Sequence, residues 1–193
     1  MVDYVAIANL ALSKIGAEDT IRAPDQDSTA ARAIRVAWDS VRKAMIRGGE
    51  LAPRWNFAMK YFQTAARNPT DADPVPFGWT AAFPKPDGAL RLVEILDPPC
   101  SAAGSWLFAG NEVLLNETGP LKAWWLIDVE NPALWDALFV DTFAARLAFQ
   151  IADKIAGDTG RKFACRDEYE KNLKAAAKVD AVENPPIDQD ESD

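Results

Sequence analysis

The sequence predicts an α+β protein, mainly α: a four-helix bundle of two N-terminal and two C-terminal helices, with an inserted small antiparallel β-sheet and long loops. Three observations predict it. Apolar residues recur at helical spacing toward both ends of the chain. The middle breaks into short apolar runs separated by Gly and Pro turn signals, as strands do. Two apolar helix pairs that cannot be buried alone pack most simply as one bundle. The expected divisions are residues 1–49 for the first helical pair and 50–130 for the β-rich insertion, then 131–182 for the second pair and 183–193 for an acidic flexible tail.

The first helix spans residues 2–15, with Val5, Ala8, Leu12 and Ile15 on one face and Gly16 closing it. The loop AEDTIRAPD follows, with Ile21 turned toward the core. The second helix lies within DSTAARAIRVAWDSVRKAMIRGG and reads most clearly. Ile34, Trp38, Val41 and Met45 line one face, while Arg32, Arg35, Asp39, Arg42, Lys43 and Arg47 fall on the opposite arc. Asp27 or Ser28 offers an N-cap oxygen, and Gly48-Gly49 ends the helix.

After Gly49 a turn, Leu51 through Ala58, feeds an extended segment that ends near Thr64. Residues 67–77 hold Pro69, Pro74 and Pro76 among Asp and Asn and form a loop. Residues 79–83, 90–96, 106–109, 112–116 and 121–129 read as strands, with Gly110-Asn111 a two-residue hairpin signal. Helical periodicity returns at Pro132, which suits a first helical turn capped by Asn131. This helix runs to about residue 155 with two apolar stripes, Phe143, Leu147 and Ile151 on one and Leu138, Ala145 and Phe149 on the other. The last helix spans residues 161–182 with Cys165, Tyr169, Leu173 and Ala176 inward. The tail ENPPIDQDESD has five acids and no base, and is expected to be disordered in isolation.

With 193 residues the chain has the length of one domain, or one domain with an insertion. A net charge of -8 argues against wrapping nucleic acid, which needs a cationic surface. The chain has no histidine, which removes the commonest general base and metal ligand and every Ser-His or Cys-His nucleophile pair. Cys100 and Cys165 are too few for a disulfide framework or a Cys-only zinc site, and read as reduced thiols of a cytosolic product. No apolar run has the ~18 residues of a membrane span. The apolar N-terminus lacks a basic region, carries Asp3, and reads as a helix and not a signal peptide.

Candidate chemistry is sparse. GDTGRK at residues 157–162 lacks the spacing of a phosphate loop and reads as a helix–helix turn. Glu18, Glu50, Glu94, Glu112 and Glu117 are available for a carboxylate pair of the glycoside-hydrolase kind, but none sits in a motif. The carboxylates Asp167, Glu168 and Glu170 interleave with Lys171 and Lys174 as a solvated helix face. The basic face of the second helix holds five bases and one acid between Ser28 and Arg47. It is either a solvated face or a subunit interface using Arg32, Arg35, Arg42 and Arg47, with the acidic tail as a complementary partner. Of seven tryptophans, Trp38 takes a core position. Trp55, Trp79, Trp106, Trp124, Trp125 and Trp135 are expected in or beside the sheet, too many for it to bury by itself. Trp55, Trp79 and Trp124 are therefore interface candidates.

Three stretches sharpen this reading. ANLALSKIGAEDTI with AARAIRVAWDSVRKAMIRGGELAPRWNFA is a helix pair ending in an aromatic turn. FPKPDGALRLVEIL opens a strand. NEVLLNETGPLKAWWLIDVENPALWDALFVDTFAARLAFQIA gives hairpin, strand and buried helix. In order and spacing, over residues 9–178, they resemble the tail tubular protein A family, the head-to-tail adaptors of tailed bacteriophages. In that family a similar helix pair ends in a PWNFA-like turn. Here Pro53-Arg54-Trp55-Asn56-Phe57-Ala58 carries an inserted Arg, and Ala37-Trp38-Asp39 replaces an acidic segment containing Tyr.

The resemblance implies a structural virion protein of the neck, made in the host cytoplasm and working without an active site, metal or cofactor. Its partners would be the portal protein, a tail or nozzle protein, and itself, in a ring of about twelve copies. Double-stranded DNA would only pass through the lumen, and no membrane is involved. Pro185, Pro186 and Ile187 of the tail would order against the portal on docking. Two other readings stand beside it: a virion-associated peptidoglycan hydrolase using a carboxylate pair, and a non-ring binding module for a tail protein.

Overall fold

The structure is a computed structural model that describes residues 3–48, 52–70, 72–98 and 105–184. Val2, Gly49, Glu50, Leu51, Cys100 and the tail residues Pro185, Pro186 and Ile187, which figure in the sequence reading, lie outside the described residues. The chain divides into two compact units, Met1–Phe57 with Val129–Asp193, and Ala58–Asp128.

The first unit is helical: α1 (Tyr4–Lys14), α2 (Thr29–Arg47), α3 (Ala137–Ile155) and α4 (Thr159–Glu183). Helix α3 lies at its centre and packs against the other three. Its interior residues explain this, because Phe139, Phe143, Leu147 and Ile151 alternate with Ala144, Ala145, Ala148 and Ala152, all buried. The alanines let neighbouring helices approach while the larger side chains fill the gaps.

Each helix start is capped by the side chain before it. Asp3 accepts from the Ala6 amide at 2.8 Å, Ser28 from Ala31 at 3.2 Å, Asp136 from Leu138 at 2.8 Å, and Asp158 from Gly160 at 2.8 Å. Gly48 ends α2 with φ 57°, a left-handed backbone that a side chain would strain. The end of α1 is held from a distance, since Arg161 Nη1 of α4 donates to the carbonyls of Ile15 at 2.8 Å and Gly16 at 3.0 Å. The loop to α2 is pinned by Asn9, whose side chain bonds both the amide and the carbonyl of Ile21.

The helix expected from Pro132 begins later. Asn131 caps only a short 3-10 turn, Pro132–Leu134. Trp135 is extended, its indole N–H donates to the Val129 carbonyl at 2.8 Å, and α3 starts at a new cap, Asp136.

The second unit holds β1 (Met59–Thr64), β2 (Ala81–Pro84), β3 (Ala89–Asp97), β4 (Trp106–Ala109), β5 (Glu112–Leu115) and β6 (Leu121–Ile127). They form two three-stranded antiparallel sheets, ordered β1-β6-β3 and β2-β5-β4. This corrects the expectation of a four-helix bundle carrying one small inserted sheet: the protein is mixed α/β, and its strands are more than an insertion in a helical bundle. The reason lies in the alternation of side chains along the strands. Phe83, Val113 and Leu115 of one sheet and Leu121, Ala123 and Trp125 of the other share one buried cluster, so each sheet supplies the other's cover. The turn between β4 and β5 uses Gly110 at φ 60°, as a hairpin with Gly in its first central position requires.

The tryptophans are also placed differently from the expectation. Trp55 and Trp135 do not join the strands but belong to the helical unit, where both contact Phe139. Trp125 is buried in the β unit, Trp79 and Trp124 are half-buried, and Trp106 is exposed.

Candidate interaction surface

Residues 53–57, the turn before α3 and the end of α4 enclose a groove of about 330 Å³ in the helical unit. Its floor is aromatic. Trp55 meets Phe139 edge-to-face at 4.8 Å, Phe57 meets Phe139 at 4.9 Å, and Trp135 meets Phe139 at 5.0 Å. The lip carries three apolar side chains that remain open to solvent: Leu134 at 63% exposure, Val179 at 43% and Leu138 at 38%.

Trp55 is the one non-glycine residue with positive φ, 50°, among the described residues. Such a backbone costs about 1–3 kcal/mol and persists where the surroundings over-determine it. Here an indole hydrogen bond to the Met45 carbonyl at 3.1 Å and the packing on Phe139 hold it. Backbone strain is thus placed at the groove.

The rim is acidic: Asp136, Asp180 and Glu183 line the groove, and among the described residues no Lys or Arg does. Neutral donors hold all three carboxylates. Asp136 accepts from the Leu138 amide, Asp180 from the Arg54 amide at 3.0 Å and the Asn184 side chain at 3.0 Å, and Glu183 from the Asn56 side chain at 2.7 Å. Their negative charge is therefore positioned but not neutralised by an ion pair among the described residues. An apolar floor with fixed negative charge at its edge favours an apolar side chain flanked by cations.

The residues singled out by sequence fall in several places. Trp55 lies in the groove. Arg32 is exposed and paired with Asp27, while Arg35 donates to the carbonyls of Pro24 at 2.9 Å and Gln26 at 3.0 Å. Arg47 is exposed at the end of α2. Arg42, expected on the solvent arc, is 3% exposed and paired with Asp39 at 2.6 Å and Glu130 at 3.8 Å. The buried stripe of α2 is wider than the four residues that revealed it, since Ala30, Ala33, Ala37 and Ile46 are also buried, and Arg42 falls inside it. Its neighbours already engage it, so it belongs to the interior of the unit. Trp79 and Trp124 belong to the β unit, where Trp124 meets Tyr61 edge-to-face at 5.8 Å. Of the glutamates considered for hydrolysis, Glu112 is engaged by Arg67 at 2.5 Å.

Phe57, Leu134, Trp135, Leu138, Asp136, Val179, Asp180 and Glu183 were not sequence candidates, because a groove formed by three separate segments, around residues 53–57, 134–138 and 176–183, leaves no local pattern. The signal that existed was Leu134, an apolar residue outside both helical stripes and next to a Trp. Cys165 is buried beside the Lys14 carbonyl, and burial pushes its thiol up from the ordinary range, as does Glu168, against the opposing effect of Lys14. That makes it a packing residue and a poor nucleophile. Set against known proteins, the chain matches no family model and no curated protein.

Proposed function

We propose that this chain is a structural virion protein, a head-to-tail adaptor of a tailed bacteriophage. Its copies form a ring, expected to be a dodecamer, in the neck between portal and tail, and phage DNA passes through the lumen. The observation that carries the reading is the order and spacing of the three stretches within residues 9–178 that resemble the tail tubular protein A family. Two physical features support it. The protein offers apolar surface in both units, which suits work done by contact. Its net charge of -8 disfavours adhesion of DNA phosphates to a lumen wall.

The test is native mass spectrometry of the full chain with and without the portal protein, read beside particles that lack the chain. The expected outcome is a multi-copy complex on the portal, and particles that lose their genome or fail to carry tails. Removal of residues 183–193 is expected to leave the fold intact and weaken portal attachment. Particles that keep their DNA and bear normal tails without this chain would refute the adaptor reading.

A further inference from the structure

The acidic rim and aromatic floor of the groove pose a definite question of complementarity, and a second surface of the same unit answers it. On the outer face of α2, Val36 is 82% exposed, a large value for an aliphatic residue in the middle of a helix. Arg32, one turn before it and paired with the exposed Asp27, and Arg35, the residue before it, which donates to the carbonyls of Pro24 and Gln26, flank it, and Lys43 lies further along the same exposed side. An apolar knob between cations is the counterpart of an apolar floor between carboxylates. One acid, Asp39, shares the exposed side, and it is already held by Arg42 at 2.6 Å.

We infer that the groove of one copy receives the Arg32–Val36 face of α2 from the next copy. Val36 would seat against Leu134, Leu138 and Val179, with Arg32 and Arg35 facing Asp136, Asp180 and Glu183. The contact cannot form within one chain, because Val36 is exposed there and the groove is built from other segments. The tail is a poor competitor for the groove, since residues 185–193 carry four acids and no base. Because the two surfaces differ, the contact is heterologous, and contacts of that kind generate rings when the rotation closes. Helix-in-groove docking uses anchors at i, i+3 and i+4, the spacing of Arg32, Arg35 and Val36. The inference rests on the adaptor reading for the ring, and names the residues that would join its subunits.

Sedimentation velocity on the full-length chain alone, from low to high salt, tests it. The wild-type chain is expected to self-associate with concentration and to weaken as salt rises. Val36→Glu and Glu183→Lys are each expected to weaken association by about tenfold or more. Combining Arg32→Glu with Glu183→Lys is expected to recover most of what Glu183→Lys loses, a rescue that a general folding defect would not give. Circular dichroism of each variant checks that the helices persist. A chain that stays monomeric at every concentration, association indifferent to Val36→Glu, or absence of the rescue would overturn the inference. A chain that binds the portal with these substitutions having no effect sinks the groove contact alone, whereas a chain that never binds the portal sinks the adaptor reading.

Discussion

In the helical unit a chain of touching rings runs from Tyr4 through Trp38, Trp135, Phe143 and Phe139 to Trp55 and Phe57. It starts near the outside, crosses the core and ends as the floor of a groove. In the β unit Trp106, Leu107 and Phe108 are exposed in succession along the edge strand β4, and of these only Phe108 has a ring partner among the described residues, Trp125 at 6.2 Å. The first surface is rigid by continuity with the core and bordered by fixed charge. The second has no charged residue within its strand. A partner of the groove is selected by charge, while a partner of β4 would be selected by backbone pairing and apolar area alone. Apolar exposure of similar size therefore carries different information in the two units.

The largest test of that contrast removes the hub of the ring chain. Phe139 is fully buried and touches Trp55, Phe57, Trp135 and Phe143. Phe139→Ala is expected to cost about 3–5 kcal/mol in urea unfolding and to collapse the near-ultraviolet circular dichroism of the tryptophans. A loss below about 0.5 kcal/mol, the range of surface substitutions, would mean the groove floor is not continuous with the core.

A paired substitution sharpens the comparison. Trp135 and Trp125 are both buried, one in each unit. The Trp135 indole donates to the Val129 carbonyl at 2.8 Å, while the buried Trp125 indole N–H has no partner among the described residues. Trp135→Phe should lose a hydrogen bond as well as volume. Trp125→Phe should lose volume but relieve an unsatisfied donor, a group whose burial costs about 1–3 kcal/mol. Denaturant titrations are expected to find Trp125→Phe the milder by about 1 kcal/mol or more. Equal losses would mean that the N–H of Trp125 is satisfied in solution.

The same two units show what could be read from the sequence. Helices α1, α2 and α4 were legible because each carries a cap or an apolar period of its own, as Ser28 and the Ile34–Trp38–Val41–Met45 stripe do for α2. The hairpin at Gly110-Asn111 was legible because its turn chemistry is local. Division of the strands into two sheets was not, since β6 pairs with β1 and β3, and those partners are far from it in sequence. The break at Trp135 was hidden by Pro132 and Asn131, which form a true but premature cap. Arg42 was misplaced because a four-residue stripe understates the width of a buried face lined with alanine. Of the groove, only Trp55 and its motif stood out. Its other residues are ordinary members of helix ends, and its acids acquire meaning only when three segments converge.

The smallest effect concerns the outer end of the ring chain and depends on pH. Tyr4 packs against Trp38 with ring centroids 4.1 Å apart, and its buried hydroxyl has no hydrogen-bond partner among the described residues. Burial raises its ionisation above the ordinary value of 10.0, with Arg35 opposing the rise and Asp39 adding to it. The folded state therefore holds the phenol proton more tightly than the unfolded chain. Stability tied to that proton is fully present below about pH 10 and is lost as pH rises above it. In the β unit Lys122 carries a shift of the same sign, through its hydrogen bond to Asp97, so both units should weaken on the alkaline side. Tyr4→Phe keeps the ring, removes the hydroxyl and removes one contribution, leaving those of Lys122 and of Cys165, whose thiol burial also raises. Urea unfolding of the variant is expected to match the wild-type chain within about 0.5 kcal/mol at pH 7. It should then fall less steeply than wild type between about pH 10 and 11. Identical alkaline slopes would show that the Tyr4 hydroxyl reaches water, and that the ring chain opens to solvent at both of its ends.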